Sequence, residues 1–436
     1  MRYKEGNKST NKVALLVSIL LVIIIAIGTI VYINIDNTNK LNSERYNSLL
    51  TENRQTENKD IVENEIANSV TNIVANETTN TAVNEETGNA TTNVDSTELF
   101  SKYYEKAEAL MKTMTLEEKV GQMFLARYPE SGVIEEIKNQ NPGGYILFGR
   151  DFKNKTKSSM LKQLQNCQSN SKINLALGVD EEGGTVVRVS AYTAFRSSKF
   201  KSPQQLWKEG YLQKILDDSK EKSALLKSIG LNMNLTPVVD VPTSSKDFIY
   251  ARSYGRGAEK TAEYTAALIK TMNADNMIST MKHFPGYGNN VDTHTGIAID
   301  ERKYETFLQS DFLPFKSGIE AGGPTILVNH NIVKCMDSTK PASLSENVHK
   351  ILREDLKFSG IIMTDDLAMD AVKQYVEDGN AAVQAVIAGN DIIISSNFAE
   401  QKKEVVTAVK NGKISEETIN IAVKRILAWK YTYGII

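Results

Sequence analysis

Eight short apolar runs separated by segments of helical periodicity constrain this 436-residue chain more than any other feature. They lie at Gln122–Arg127, Gly144–Gly149, Leu175–Asp180, Met233–Val241, Met277–Phe284, Thr325–Asn331, Gly360–Asp365 and Asp391–Ser396. Each is nearly continuous in apolar character rather than alternating, as a strand buried on both faces requires. Between them, Leu212–Ile229, Ala258–Met272, Arg302–Ile319 and Val383–Ile387 repeat their apolar residues at the period of an α-helix, and Ser415–Tyr431 supplies the last such segment. Strand–helix alternation repeated eight times predicts a (β/α)8 TIM-type barrel. An open doubly wound sheet is the competing arrangement, but it usually has fewer strands and a Gly-rich phosphate-binding motif after the first, and none follows Arg127. Only residues 432–436 follow the last helix, so no second domain is expected there.

Composition divides the chain ahead of the barrel. Val13–Ile33 carries no charge, and at ~1.5 Å per residue it is long enough to span a hydrocarbon core of ~30 Å, which predicts a single transmembrane helix at 13–33. Residues 1–12 hold Arg2, Lys4, Lys8 and Lys12 against Glu5 alone. The positive-inside bias makes them a cytoplasmic tail and places the rest of a single-pass cell-membrane protein on the extracytoplasmic side. A cleaved signal peptide is the competing reading, but its apolar core is usually only ~7–15 residues and ends at a small-x-small site. Here the run leaves through Val31-Tyr32-Ile33-Asn34-Ile35-Asp36, and no Cys follows closely enough for a lipid anchor. Residues 34–97 are dominated by Asn, Thr, Glu and Ser, without Trp or Phe, and predict a disordered linker that cannot bury enough surface to offset its ordering entropy. The catalytic barrel is therefore expected at 98–436. A formal net charge of -2 argues against a nucleic-acid partner. Cys167 and Cys335 have neither metal-ligand nor disulfide-framework spacing and are expected to be structural thiols.

Active residues of a barrel gather at the carboxyl ends of its strands. Arg127, Arg150, Asp180, Asp240, Lys282-His283, Asn329-His330 and Asp365-Asp366 all follow or close apolar runs, so together they describe a polar pocket. Asp365 is nearest its strand end and is a candidate nucleophile; Asp366 suits a cap for a helix starting near Leu367. A metal would need further hard ligands, and no His-x-His, Cys-x-x-Cys or dense Asp/Asn/Gly loop is present. The loop after Met277–Phe284 holds Asp292-Thr293-His294 among Gly286, Gly288 and Gly296. A carboxylate that close to an imidazole can fix its tautomer and raise its basicity, although a satisfied loop histidine is the plainer alternative. Asp180-Glu181-Glu182-Gly183-Gly184 opens a third loop, suited to sugar hydroxyls or to a solvated turn, and Arg252 is less informative by itself.

Taken together, these segments resemble family 3 glycoside hydrolases, and more closely their β-N-acetylglucosaminidase (β-hexosaminidase) branch, from about Met114 to Tyr433. Ile351-Leu352-Arg353-Glu354-Asp355, followed four residues later by Gly360-Ile361-Ile362-Met363-Thr364-Asp365, looks like that family's nucleophile motif, and Thr115-Leu116-Glu117-Glu118-Lys119-Val120-Gly121-Gln122-Met123 looks like its opening. The resemblance implies Asp365 as nucleophile, Asp292 and His294 as an acid/base dyad, and Asp180, Arg188, Arg252, Lys282 and His283 as the residues that hold the sugar. It implies hydrolysis of terminal β-linked GlcNAc with retention of configuration and no metal or organic cofactor. Other branches take their acid from a following domain, and none is expected here. Tyr287 stands where the family usually has His, Thr185 where it has Arg and Glu181 where it has Gln, and the dyad loop is one residue shorter. A membrane-tethered enzyme of this kind would meet peptidoglycan fragments or other GlcNAc-bearing glycans. A β-glucosidase or β-xylosidase is the alternative enzyme, and a non-catalytic glycan-binding protein the alternative class.

Overall fold

Parallel pairing in chain order organises the protein. The computed structural model describes residues 98–290, 298–369, 372, 375–376 and 380–436, so the expected membrane span at 13–33, the linker at 34–97 and the Asp292/His294 pair lie outside the described residues. Each of the eight apolar runs contains a strand: β1 (Phe124–Arg127), β2 (Gly144–Leu147), β3 (Ala176–Val179), β4 (Met233–Asn234), β5 and β6 (Ile278–Ser279 and Met281–Phe284), β8 (Thr325–Val328), β10 (Ile361–Thr364) and β11 (Ile393–Ser395). One sheet runs β11-β1-β2-β3-β4-β5 and another β10-β8-β6, with every ladder parallel. A parallel bridge joins Val238 to Lys282, and a second joins Met363 of β10 to Ile392 beside β11. Among the described residues no helix is long and apolar enough to cross a membrane.

Local sequence explains where the helices begin. Thr115 caps the Leu116–Gln122 helix reciprocally: its hydroxyl accepts from the Glu118 amide at 3.2 Å, and the Glu118 carboxylate accepts from the Thr115 amide at 3.0 Å. Ser202 does the same with Gln205 ahead of Pro203, which opens the Pro203–Ser228 helix where a missing N–H costs nothing. A kink at Gly210 and Tyr211, with Tyr211 at φ 55°, divides that stretch just before Leu212, so the expected Leu212–Ile229 helix is its second part and an additional helical segment precedes it. The segment expected as one helix over Arg302–Ile319 is broken. Tyr304–Thr306 leads into a widened turn at Phe307–Asp311 before the Phe312–Glu320 helix, whose Pro314 has no N–H to donate back into the preceding turn. The run after Asn329 hides a short strand that sequence reasoning missed, β9 (Ile332–Val333), which pairs with β7 (Ile299–Asp300).

The strands are buried on both faces; β2, β3, β6, β8 and β10 are buried along their whole length. Gly144 lets β2 lie tightly against β3, since a Cβ there would meet the Ala176 carbonyl at 2.0 Å. One apolar cluster spans β1 to β3 and the fully buried Trp429 of the Glu416–Thr432 helix; a second gathers Phe284, Phe307, Phe312 and Phe315 around Ile326, Val328 and Ile362. Cys167 is buried in the first cluster, whereas Cys335 is exposed beyond the short strand β9 and packs in neither cluster, contrary to the expectation of a structural thiol.

The seam between β10 and β11 depends on one carboxylate. Asp391 is 1% exposed; it receives Arg353 at 2.7 Å, Arg425 at 2.5 Å and the Ile362 amide at 2.9 Å, so it ties two helical segments to the edge of β10. Asp391→Ala leaves two guanidiniums without their shared partner and a strand amide without its acceptor. Loss of a buried ion pair's partner costs ~3–5 kcal/mol, so urea denaturation of this variant should show a markedly lower midpoint, whereas a conservative surface change such as Glu346→Gln should leave it in place.

Candidate active site

The polar strand ends converge on one cavity of about 600 Å³. Arg127 from β1, Asp180 after β3, Arg188 and Arg252 from the following loops, Lys282 and His283 from β6, and Asp365 and Asp366 after β10 all line it. Asp292 and His294 lie outside the described residues, but the chain on either side of them is tied down. Arg302 donates to the Gly286 carbonyl at 2.9 Å and pairs with Asp300 at 2.7 Å and Asp311 at 3.0 Å, while Asn290 donates to Asp300 at 2.6 Å.

At the centre is a buried charge network. Lys282 Nζ lies 2.6 Å from Asp180 Oδ1 and 2.7 Å from Glu182 Oε1. Arg252 approaches the same Glu182 side-on, Nη2 to Oε1 at 2.7 Å and Nε to Oε2 at 3.0 Å, a two-point contact that fixes the guanidinium plane. Burial works against the Glu182 charge, but Lys282 and then Arg252 outweigh it and hold this carboxyl well below the usual range. Burial likewise opposes the Lys282 charge, and Asp180 and then Glu182 hold its ammonium above its ordinary value.

His283 is oriented from both sides. Its Nδ1 is 2.7 Å from Asp240 Oδ2 and its Nε2 is 3.2 Å from Arg252 Nη2. Arg252 can only donate, so Nε2 accepts and Nδ1 carries the proton toward Asp240, a tautomer assigned from its partners. Asp240 also accepts from the Tyr287 amide at 2.8 Å, and the Tyr287 ring meets His283 edge-on at 5.0 Å. Tyr287, where the related pattern has His, therefore walls the pocket.

Asp365 follows β10 directly, and its amide donates to the Val328 carbonyl of β8 at 3.0 Å, which sets its backbone at the cavity mouth. The Asp366 amide donates to Asp365 Oδ1 at 2.8 Å, which orients that carboxylate. Asp366 itself is committed elsewhere: its carboxylate accepts from the Ala368 amide at 2.9 Å and from the amide and hydroxyl of Ser396. It pins the turn after β10 to the end of β11; residues 367–369 form a turn, not the first turn of the helix that Asp366 was expected to cap. Arg150, another strand-end residue, turns to Glu130 and the Tyr128 carbonyl and does not line the cavity. His330 is held by Ser343 at 2.7 Å and the Asp366 carbonyl at 3.1 Å, behind the lining residues.

Two residues that matter here were not singled out as site residues. Glu182 was legible only as one acid among three, and Asp240 only as a strand end; what separates them from ordinary loop carboxylates is that each faces a cation or imidazole from a distant run. Glu181, by contrast, is turned away from the pocket and accepts from the amides of Arg188, Val189 and Ser190 at 2.8, 2.7 and 3.2 Å, so it fixes the loop that presents Arg188. Phe148 supplies an aromatic wall, with the Arg127 and Arg188 guanidiniums 4.7 and 5.8 Å from its ring centre. The Nε of each arginine is buried without a hydrogen-bond partner among the described residues. No group of three His, Cys, Asp or Glu side chains there is placed to hold a metal ion.

A strand-end carboxylate facing fixed donors and acceptors, beside an aromatic wall, suits a polar ligand such as a sugar ring. Comparison with known proteins gives the family. Residues 115–429 match the profile described as Glycosyl hydrolase family 3 N terminal domain, and the chain belongs to that family and is a glycoside hydrolase. It is 30% identical over 281 residues to a β-hexosaminidase of Nitrosomonas eutropha, covering 62% of this chain and 77% of that one. Against a β-hexosaminidase of Glaesserella parasuis the identity is 31% over 283 residues, with 63% and 80% covered. Among solved structures it is similar to a glycoside hydrolase family 3 β-N-acetylglucosaminidase from Paenibacillus sp. str. FPU-7, with a TM-score of 0.70, 28% identity, and 74% of this chain and 63% of that chain covered.

Because the folded-state Glu182 carboxyl is depressed from its ordinary value of 4.5, it contributes stability that is fully present above that value and is lost as pH falls toward the folded one. Glu182→Gln should therefore destabilise the protein most near neutral pH. Urea denaturation should show the gap to wild type narrowing at about pH 3.

Proposed function

We propose that the protein is a retaining exo-β-N-acetylglucosaminidase that removes terminal β-linked GlcNAc from glycans. The observation that carries this reading is the placement of Asp365 at the mouth of the cavity whose floor is the Asp180–Lys282–Glu182–Arg252–His283 network. Such a floor offers fixed donors and acceptors to the hydroxyls of one pyranose ring, and the β-hexosaminidase relatives point to GlcNAc as that ring.

On this reading Asp365 attacks the anomeric carbon as the glycosidic bond breaks, His294 gives its proton to the leaving oxygen, and a glycosyl ester forms on Asp365. Water, deprotonated by His294, then cleaves the ester, and two inversions retain configuration. Asp292 stabilises the imidazolium that gives its proton in the first step and forms again when water is deprotonated in the second. The reading also takes the α/β fold as a closed eight-stranded barrel. The circuit of parallel ladders supports this, since the Val238–Lys282 bridge links the two sheets on one side and the Met363–Ile392 bridge links them on the other. Residues 13–33 and 34–97 are proposed as membrane anchor and tether, which would place the enzyme where cell-wall glycans are reached from outside the cytoplasm.

Wild type should hydrolyse aryl β-GlcNAc far faster than aryl β-glucoside or β-xyloside, and Asp365→Asn should lower turnover by ~10³-fold or more with its denaturation midpoint unchanged. His294→Ala should slow the glycosylation step for a disaccharide much more than for an activated aryl glycoside, since a good leaving group departs without a proton. Equal losses on both substrates in single-turnover kinetics would remove His294 from the acid role. Preference for the glucoside would move the assignment to the alternative enzyme.

A further inference from the structure

Asp292 and His294 fall in sequence between Asn290 and Ala298, and the chain on both sides of them converges on one side chain that the proposed chemistry does not use. That side chain is Arg302, just after β7, and all three of its guanidinium nitrogens are engaged. Nη2 donates to the Gly286 carbonyl at 2.9 Å and to Asp300 Oδ2 at 2.7 Å, Nη1 to Asp311 Oδ2 at 3.0 Å, and Nε to Asp300 Oδ2 at 3.0 Å. Asp300 and Asp311 are each 1% exposed, and the buried Phe307 ring lies 4.3 Å from the guanidinium carbon. Arg302 does not line the sugar cavity.

The stretch that leads from β6 to Asn290 is moulded on this group. Gly286 and Gly288 have φ of 123° and 52°, and a Cβ on the first would meet Asp311 Oδ1 at 2.2 Å, on the second Arg302 Nη1 at 2.3 Å. Asn290 closes the stretch, donating to the Tyr287 carbonyl at 2.9 Å and to Asp300 Oδ2 at 2.6 Å. The returning chain is fixed by β9: the Ala298 carbonyl accepts from the Ile332 amide at 2.9 Å and the Asp300 carbonyl from the Lys334 amide at 3.0 Å. Arg302 therefore joins the departing chain, through Gly286, to the returning chain, through Asp300. The pocket floor has separate supports, since Asp240 holds His283 and the Tyr287 amide, and Arg252 meets His283 from the other side.

We propose that Arg302 is a positioning residue for the acid/base dyad, clamping the chain before Asp292 to the chain after His294 and so setting where the proton donor stands relative to the sugar. This rests on the reading of His294 as the acid/base. An arginine between two buried carboxylates would serve the fold alone; the contact to the Gly286 carbonyl, and the link through Asp300 to Asn290, are what a purely structural pair does not need. Proton transfer works over a heavy-atom separation of ~2.6–3.2 Å, and a misplacement of ~1 Å costs up to ~100-fold, so a small shift at this base is felt in the acid step.

Two variants of the full chain test it. Arg302→Lys keeps a positive charge between Asp300 and Asp311 but has no planar fork to hold three directions at once. Asn290→Ala leaves the ion pairs whole and removes the bond between the departing chain and Asp300. In single-turnover kinetics each should slow glycosylation from a GlcNAc disaccharide by about tenfold or more, and from an activated aryl GlcNAc by less than about threefold. The inhibition constant of free GlcNAc, which reads the pocket floor, should change less than about twofold. Should Arg302→Lys fail to fold, as judged by its denaturation midpoint, Asn290→Ala decides on the same readings. Equal losses on both substrates, or no loss on either, in the folded variants would overturn the positioning role and leave the acid assignment standing if His294→Ala still discriminates between leaving groups. No discrimination in His294→Ala would overturn both.

Discussion

Glu182 is the point on which the rest of the site depends. Lys282 comes from β6 and Arg252 from the loop after β4, and they would repel one another if the carboxylate between them were absent; with it, Lys282 also reaches Asp180 and Arg252 also reaches His283. A buried pair of this kind adds little net stability against a well-packed apolar equivalent, and loss of one member is costly. Its retention in a cavity that opens to solvent is accounted for by function: it holds donors and acceptors in a fixed array before any ligand arrives, so little reorganisation is left for binding.

The fold supplies the frame for that array. Parallel strands in chain order bring residues from widely separated runs to one end, and the tight approaches at Gly144 and the Asp391 seam keep neighbouring strand ends in register. The site-facing and opposite ends divide their work. Asp180, Lys282 and Asp365 face the cavity, whereas Asp391 with Arg353 and Arg425 ties helices to the strands away from it. Asp366 shows how fine that division is, because one residue beyond Asp365 the carboxylate already serves the backbone.

Much of this was legible in the sequence, for identifiable reasons. Continuous apolar runs mark strands buried on both faces, so all eight were located, and polar residues at their carboxyl ends pointed to the cavity. What stayed hidden depends on pairing across the fold. Periodicity could not show that Glu182 would sit between Lys282 and Arg252, that Asp240 would orient His283, or that Arg150 would turn outward to Glu130. The break ahead of Phe312 was missed because apolar spacing continues across a change of backbone path. β7 and β9 are too short to leave a pattern.

The central claim is that Asp365 forms a covalent bond to the sugar. An activated GlcNAc fluoride with a second fluorine at C5 loads through its good leaving group, and the ring fluorine then slows release by disfavouring the oxocarbenium-like transition state. Peptide mass spectrometry after a short incubation should find one glycosyl adduct, on the peptide that contains Asp365, and its decay should match recovery of activity. An adduct on another carboxylate, or none together with inverted product configuration by proton NMR, would contradict the account.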